Sequence, residues 1–140
     1  MKTKQTGFTL IEIMVVVVII ALLLAAVAPR VFSRLEQAQE TRAGQDIRAI
    51  ESALNFYRLD NLVYPTETQG LEALVTEPNG ARAWRGPYLD RLPQDPWNDI
   101  PYRYRIPSEH GLDYDVFTYG ADNEEGGEGQ DADIGNWNID

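Results

Sequence analysis

From Ile13 to Ala28 the chain is unbroken Ala, Val, Ile, Leu and Met, and the wider span Phe8 to Pro29 carries a single charge, Glu12. As a helix that span would be about 31 Å long at roughly 1.5 Å per residue, close to the hydrocarbon thickness of a bilayer. A segment apolar on every side cannot be one face of a small water-soluble core, so it must cross a membrane, be removed as a signal, or bury itself against other chains. Lys2 and Lys4 ahead of it and Ala26-Val27-Ala28 at its end also fit the n-region and A-x-A site of a secretory signal peptide. Glu12 argues against removal: intramembrane carboxylates cost on the order of 2.5 to 3.5 kcal/mol at a helix centre, less near an end, and those that persist are usually paired and functional.

The remainder has a different character. The 140 residues hold 12 Lys plus Arg against 22 Asp plus Glu, a net charge of -10, and the mean hydropathy is -0.35 despite 44% hydrophobic residues. The apolar content is therefore concentrated at one end. A length of this order suits one domain with a modest core. The acidic balance makes nucleic acid a poor partner. With no cysteine there is no disulfide framework, thiol nucleophile or thiolate metal site.

The residues Gly7-Phe8-Thr9-Leu10-Ile11-Glu12 resemble the class III signal of type IV pilins and pseudopilins. The resemblance implies that a prepilin peptidase cuts between Gly7 and Phe8, that Phe8 becomes the N-methylated N-terminus, and that the apolar segment is retained. It divides the chain into a leader (1–7), a transmembrane and filament-core helix (8–29) and a periplasmic head (30–140), with a cytoplasmic leader. It also implies a partner for Glu12, the N-terminal amine of Phe8 on a neighbouring subunit. A paired carboxylate can stay ionised in an apolar setting, and losing its partner is expensive. The positive-inside count by itself leaves orientation open, because Arg30 and Arg34 follow the span. Pro29 closes it, at a position where the family has a proline and the assembled helix is often unwound. In an isolated helix it should force a kink or break.

Beyond Pro29, Val31, Leu35, Ala38, Ala43, Ile47, Ile50, Leu54 and Tyr57 fall mostly three or four apart, predicting an amphipathic helix to about Leu62. Its polar face, Arg34, Glu36, Glu40, Arg42, Asp46, Arg48, Glu51 and Arg58, is most simply solvated. In a filament Glu51 is the candidate to meet a basic residue such as Arg91 on a neighbour. Asp60-Asn61 and Tyr64-Pro65 end this helix, and Thr66-Glu67-Thr68-Gln69 predicts a capping box opening a short second helix over Leu71, Leu74 and Val75. Pro78-Asn79-Gly80 stops it. The proline-dense loop that follows carries Trp84 and Trp97, expected as lids on the core. Tyr102–Ile106 and Tyr114–Tyr119 alternate with period two and predict an antiparallel hairpin. The expected fold is α+β, a long N-terminal helix with a small antiparallel sheet packed on its second half.

From Leu112 to Asp140 there are nine acids, no Lys or Arg, and five glycines. Charge repulsion and backbone freedom should leave this stretch disordered unless something binds it. The spacing of Asp122, Asp131 and Asp133, followed by Ile134 and Trp137, suits a hard cation. Calcium accepts six to eight oxygens at flexible geometry, zinc prefers nitrogen or sulfur, and magnesium a tight octahedron. The pattern is not an EF-hand.

The block Phe117-Thr118-Tyr119-Gly120-Ala121-Asp122 with Asp131-Ala132-Asp133-Ile134-Gly135-Asn136-Trp137 resembles the C-terminal signature of the major pseudopilins of type II secretion. Tyr57-Arg58-Leu59-Asp60-Asn61, Tyr64-Pro65, Gln69-Gly70-Leu71 and Leu92-Pro93-Gln94-Asp95-Pro96-Trp97 resemble interior blocks of that family. This implies a calcium-stapled loop, with carboxylates from Asp122, Asp131 and Asp133 and backbone carbonyls from Tyr119 and Glu124. Which of Asp131 and Asp133 binds directly stays open. Asn98-Asp99-Ile100-Pro101-Tyr102 departs from the shorter Gly-Asn-Pro-Tyr turn common in the family.

An enzyme is not expected: His110 is the only histidine, in a turn expected to be solvated, with Ser108 too near in sequence to suggest a triad. The resemblance implies a homopolymeric pseudopilus subunit of the inner membrane and periplasm. Its partners would be membrane lipid before assembly, minor pseudopilins and the inner-membrane assembly platform, with a separate cytoplasmic ATPase powering polymerisation. Two alternatives remain. One is an adhesion or motility pilin, although many of those close a loop by a disulfide that this chain cannot form. The other is a soluble calcium-binding domain released after Ala28 and starting near Val31.

Overall fold

The computed structural model describes residues 7–139, so the leader lysines Lys2 and Lys4 lie outside the described residues. The chain divides into two compact units between Gln37 and Ala38. One helix, α1 (Leu10–Asn61), contributes to both. Helical assignment continues through Pro29, contrary to the break expected of an isolated helix. Proline deletes only the N–H of its own position, and the hydrogen bonds of the turns on either side hold the register.

In the first unit the apolar residues of α1 are exposed all round, Val31 and Leu35 included. Those two match the amphipathic period but find no apolar surface to cover. In the second unit α1 behaves as an amphipathic helix should, burying Ala43, Gly44, Ile47, Ile50, Ala53, Leu54 and Tyr57. Spaced three and four apart, they make one stripe. The core they form is completed by Leu71, Ala73 and Leu74 and by Tyr102, Tyr114 and Val116.

The helix stops where Leu62 turns to φ 66°, the left-handed residue that follows many helix ends. The Asn61 side chain bonds back to the Tyr57 carbonyl at 3.1 Å and accepts the Ala83 N–H at 3.3 Å. The capping box forms as expected, with Thr66 N–H donating to Gln69 Oε1 at 2.9 Å and Gln69 N–H to Thr66 Oγ1 at 3.3 Å. What it caps is a turn. Gly70, at φ 59°, redirects the chain, and the predicted helix is a single 3-10 turn, Leu71–Leu74. Trp84 and Trp97 pack against the core as lids, and the Trp84 indole N–H donates to the Ala73 carbonyl at 2.9 Å.

The predicted hairpin is present as β1 (Arg103–Arg105) and β2 (Asp115–Thr118), with Tyr104 opposite Val116. A third strand, β3 (Ile134–Gly135), pairs antiparallel with the other edge of β2, giving the order β1-β2-β3. Asn136 extends that edge, because its side-chain amide accepts from Val116 N–H and donates to the Tyr114 carbonyl, both at 3.1 Å. All four residues of β2 are buried, although period two predicted one wet face. Tyr114 and Val116 belong to the helix-side core, while on the opposite parity Phe117 is packed by Tyr119 and Trp137.

Candidate functional site

The start of α1 is organised by its own sequence. Thr9 N–H and hydroxyl both donate to Glu12 Oε2, at 2.7 and 2.9 Å, and Thr9 Oγ1 accepts the Glu12 N–H at 3.3 Å. This is a reciprocal capping box in which a threonine and a glutamate three residues on satisfy orphan donors of the first turn. The T-x-x-E spacing of Thr9 and Glu12 is the sequence signal for it. Gly7 and Phe8 precede the helix, and Phe8 is 84% exposed. An 18-residue apolar window of α1 is long enough to cross a membrane, and none of it is buried within the chain.

Glu51 and Arg91, the residues predicted to pair between subunits, do not form a salt bridge with each other within the described residues. Glu51 is half-buried, and its charge, after burial itself, helps push the Tyr114 phenol above its ordinary range. Arg91 lines a cleft of about 650 Å³ with Arg42, Asp46, Leu92, Pro93 and Gln94. Arg42 there donates to the Gln94 carbonyl at 3.4 Å and forms a salt bridge with Asp46 at 3.6 Å, and Tyr102 donates to Asp46 at 3.1 Å.

The acidic stretch, expected to be disordered unless something binds it, forms a closed loop between β2 and β3. Backbone bonds do much of this: Ala121 N–H reaches the Gln130 carbonyl at 2.8 Å, and a 3-10 turn, Gly129–Asp131, precedes β3. The Asp133 carboxylate accepts the Gly126 N–H with both oxygens, at 3.1 and 3.0 Å, and Asp122 Oδ1 accepts the Glu124 N–H at 3.0 Å. Glycine is required where the loop closes on itself. Gly120 sits at φ 72°, and a Cβ there would lie 2.5 Å from the Gln130 oxygen and 3.0 Å from that of Ala132. Gly127 at φ 91° is confined in the same way by the Asp131 carbonyl.

Asp122, Glu124, Asp131 and Asp133 are thus in one loop that begins just after Tyr119, all offering oxygen. Carbonyls of the return segment crowd Gly120, and among the described residues neither the Asp122 nor the Asp133 carboxylate forms a salt bridge. That donor chemistry fits a hard cation. Among the described residues no three of His, Cys, Asp and Glu are grouped closely enough to hold an ion by side chains alone, so backbone oxygens or water would complete any shell.

His110 lies in an exposed bend, as expected, but its ring is not free there. Its ring stacks on Trp137, with centroids 3.6 Å apart and planes within 6°, and Nδ1 lies 3.1 Å from Asp115 Oδ2. Burial pushes the Asp115 carboxyl up, but hydrogen bonds from the Ser108 hydroxyl, the Glu109 N–H and His110 outweigh it and hold the group below its ordinary range. Ser108 donates to Asp115, and its Oγ accepts the N–H groups of His110 and Leu112 at 2.9 and 3.2 Å, which ties the turn together.

Residues 30–137 match the family model described as type II secretion system (T2SS), protein G, and residues 2–28 match the prokaryotic N-terminal methylation motif. The chain belongs to the type II secretion system protein G family. It is 55% identical over 139 residues to the type II secretion system core protein G of Vibrio cholerae, covering 97% of this chain and 94% of that one. To the core protein G of Pseudomonas aeruginosa it is 52% identical over 140 residues, covering 97% of each. The crystal structure of the major pseudopilin from the type 2 secretion system of enterohaemorrhagic Escherichia coli aligns with a TM-score of 0.65 at 40% identity, covering 76% of this chain and 92% of that one. For this member of the protein G family, the methylation motif spans the Gly7–Phe8 bond and Glu12, while the protein G match takes in the whole acidic loop as far as Trp137.

Proposed function

We propose that this chain is the major structural subunit of a type II secretion pseudopilus, polymerising through its N-terminal helix to drive export of folded proteins across the outer membrane. The observation that carries this reading is an apolar helix of membrane-spanning length with none of its surface buried in its own chain. Before assembly the lipid of the inner membrane covers that surface. Afterwards the same surface of other copies does, and dispersion and close packing replace contact with lipid tails. Prepilin peptidase would cut between Gly7 and Phe8, leaving a methylated Phe8 amine. The mature chain would then carry 10 Lys plus Arg against 22 acids, since the leader holds Lys2 and Lys4.

Glu12 sets the stagger of the helices. A carboxylate among apolar neighbours strongly favours the register in which it meets a cation, and the Phe8 amine of an adjacent copy is the cation available. The Thr9 bonds orient it meanwhile, and Pro29 offers a point where the helix can open on packing. Glu51 and Arg91 would add a contact between heads. The heads lie in the periplasm, and assembly involves minor pseudopilins and the inner-membrane platform.

The acidic loop would take calcium through the carboxylate of Asp122 with that of Asp131 or Asp133, and through carbonyls of Tyr119 and Glu124. Bound calcium would supply positive charge in a segment that has no Lys or Arg, relieving repulsion among its acids. Mass spectrometry of the mature chain tests the central reading. A methylated Phe8 terminus with the apolar segment retained is the expected result, and a terminus near Val31 would overturn it.

A further inference from the structure

Asp95 is 2% exposed, yet every hydrogen-bond partner of its carboxylate is neutral. Oδ1 accepts the N–H groups of Trp97 at 2.9 Å and Asn98 at 2.6 Å, and Oδ2 accepts the hydroxyl of Thr118 at the end of β2. The Asp95 backbone is held as well, its N–H on the Ile100 carbonyl at 2.8 Å and its carbonyl on the Asp99 N–H at 3.0 Å. A carboxylate taken out of water needs such donors. What is informative is where the two partners lead.

Thr118 Oγ1 accepts the N–H of Gly120 at 3.3 Å. Asn98, whose N–H is held by Asp95, sends its side-chain amide to the carbonyl of Gly120 at 2.7 Å. Both polar groups of Gly120 are therefore fixed by side chains organised around Asp95. Gly120 is also one of the two tightest points of the loop, pressed by the carbonyls of Gln130 and Ala132. It separates Tyr119 from Asp122 by a single further residue.

We infer that Asp95 is a positioning residue for the acidic loop, fixing Gly120 through Thr118 and Asn98 and thereby the Tyr119 carbonyl and Asp122 carboxylate that would hold calcium, without touching the ion itself. The inference rests on the calcium reading above. Partners one step removed from a metal typically tune its affinity about 10 to 100-fold, and a turn tied at both of its polar groups is a route for such tuning.

The test uses the full mature chain in detergent micelles, with calcium titrated by calorimetry and amide exchange read in chelator. Thr118→Val keeps the shape and removes only the hydroxyl, and Asn98→Ala removes the other tie. Either should weaken calcium binding about 10 to 100-fold, with far-UV circular dichroism unchanged, and Thr118→Val should speed exchange of the Gly120 N–H without calcium. Asp95→Asn keeps an acceptor for the Trp97 and Asn98 amides and should fall between these variants and the parent. If the parent binds calcium and Thr118→Val and Asn98→Ala bind it equally well, the positioning role is overturned while the calcium reading stands. If the parent shows no calcium binding, both fall together.

Discussion

Val17 and Leu54 lie on the same 52-residue helix, yet Val17 is 58% exposed and Leu54 0%. The two segments differ in pattern more than in propensity. Around Leu54 the apolar residues form a stripe backed by Arg48, Glu51 and Arg58, and the stripe is covered by the chain's own tyrosines, leucines and Val116. Around Val17 the apolar residues go all round, which no small domain can cover. A helix is completed by its own chain when one face is apolar. When every face is apolar, completion must come from lipid or from copies. The same hydrophobic effect thus stabilises a fold in one segment and drives assembly in the other.

The hardest blow to that contrast comes from Glu12→Ala. Leader cleavage should survive and filaments seen by electron microscopy should disappear, with the head's melting temperature unmoved; normal filaments would remove Glu12 from assembly. Next in size, Leu54→Ala should destabilise the head by about 2 to 5 kcal/mol through loss of burial and the cavity left. Val17→Ala, at an exposed site, should leave head stability within about 0.5 kcal/mol, and equal losses in thermal melts would abolish the distinction. Third, removing calcium with chelator should lower the melting temperature, by the equivalent of about 2.7 kcal/mol if the ion stood at 100 times its dissociation constant. Asp122→Ala should reproduce that loss, and an unchanged melting curve would count against the site.

The smallest effect concerns acid. The Asp115 carboxyl is held below its ordinary value of 3.8, so its stabilising contribution is complete above that value and is lost as pH falls through the folded-state value. Asp115→Asn should flatten the fall in melting temperature below pH about 4. An unaltered acid limb would show that other carboxylates dominate it.

Much of the head was legible because local rules agree with its packing. The stripe from Ala43 to Tyr57, the Thr66–Gln69 box and the β1–β2 hairpin each follow from periodicity or turn chemistry within a short window. Misreadings occurred where partners are distant in sequence. β3 has only two residues, too short for alternation to register, and it exists because β2 had a free edge. His110 does lie in an exposed bend, but its stacking on Trp137 was not legible there. How the glycines of the acidic loop let carbonyls and N–H groups close it from within was likewise not legible. Nothing local to Asp95 and Asn98 marks their link to Gly120, which spans 22 residues from Asn98.

The sequence alone determined that an apolar segment would be left for something outside the chain to cover, because composition on every face of a helix is a one-dimensional fact. It also determined the cleavage and methylation signature and the stripe on which the head is built. Only the tertiary structure decided how the acids of the final segment are held, which buried carboxylates are satisfied, and that both faces of β2 are covered. Those outcomes depend on hydrogen bonds and contacts between residues far apart in the chain, which are set when the core closes and leave no periodic trace beforehand.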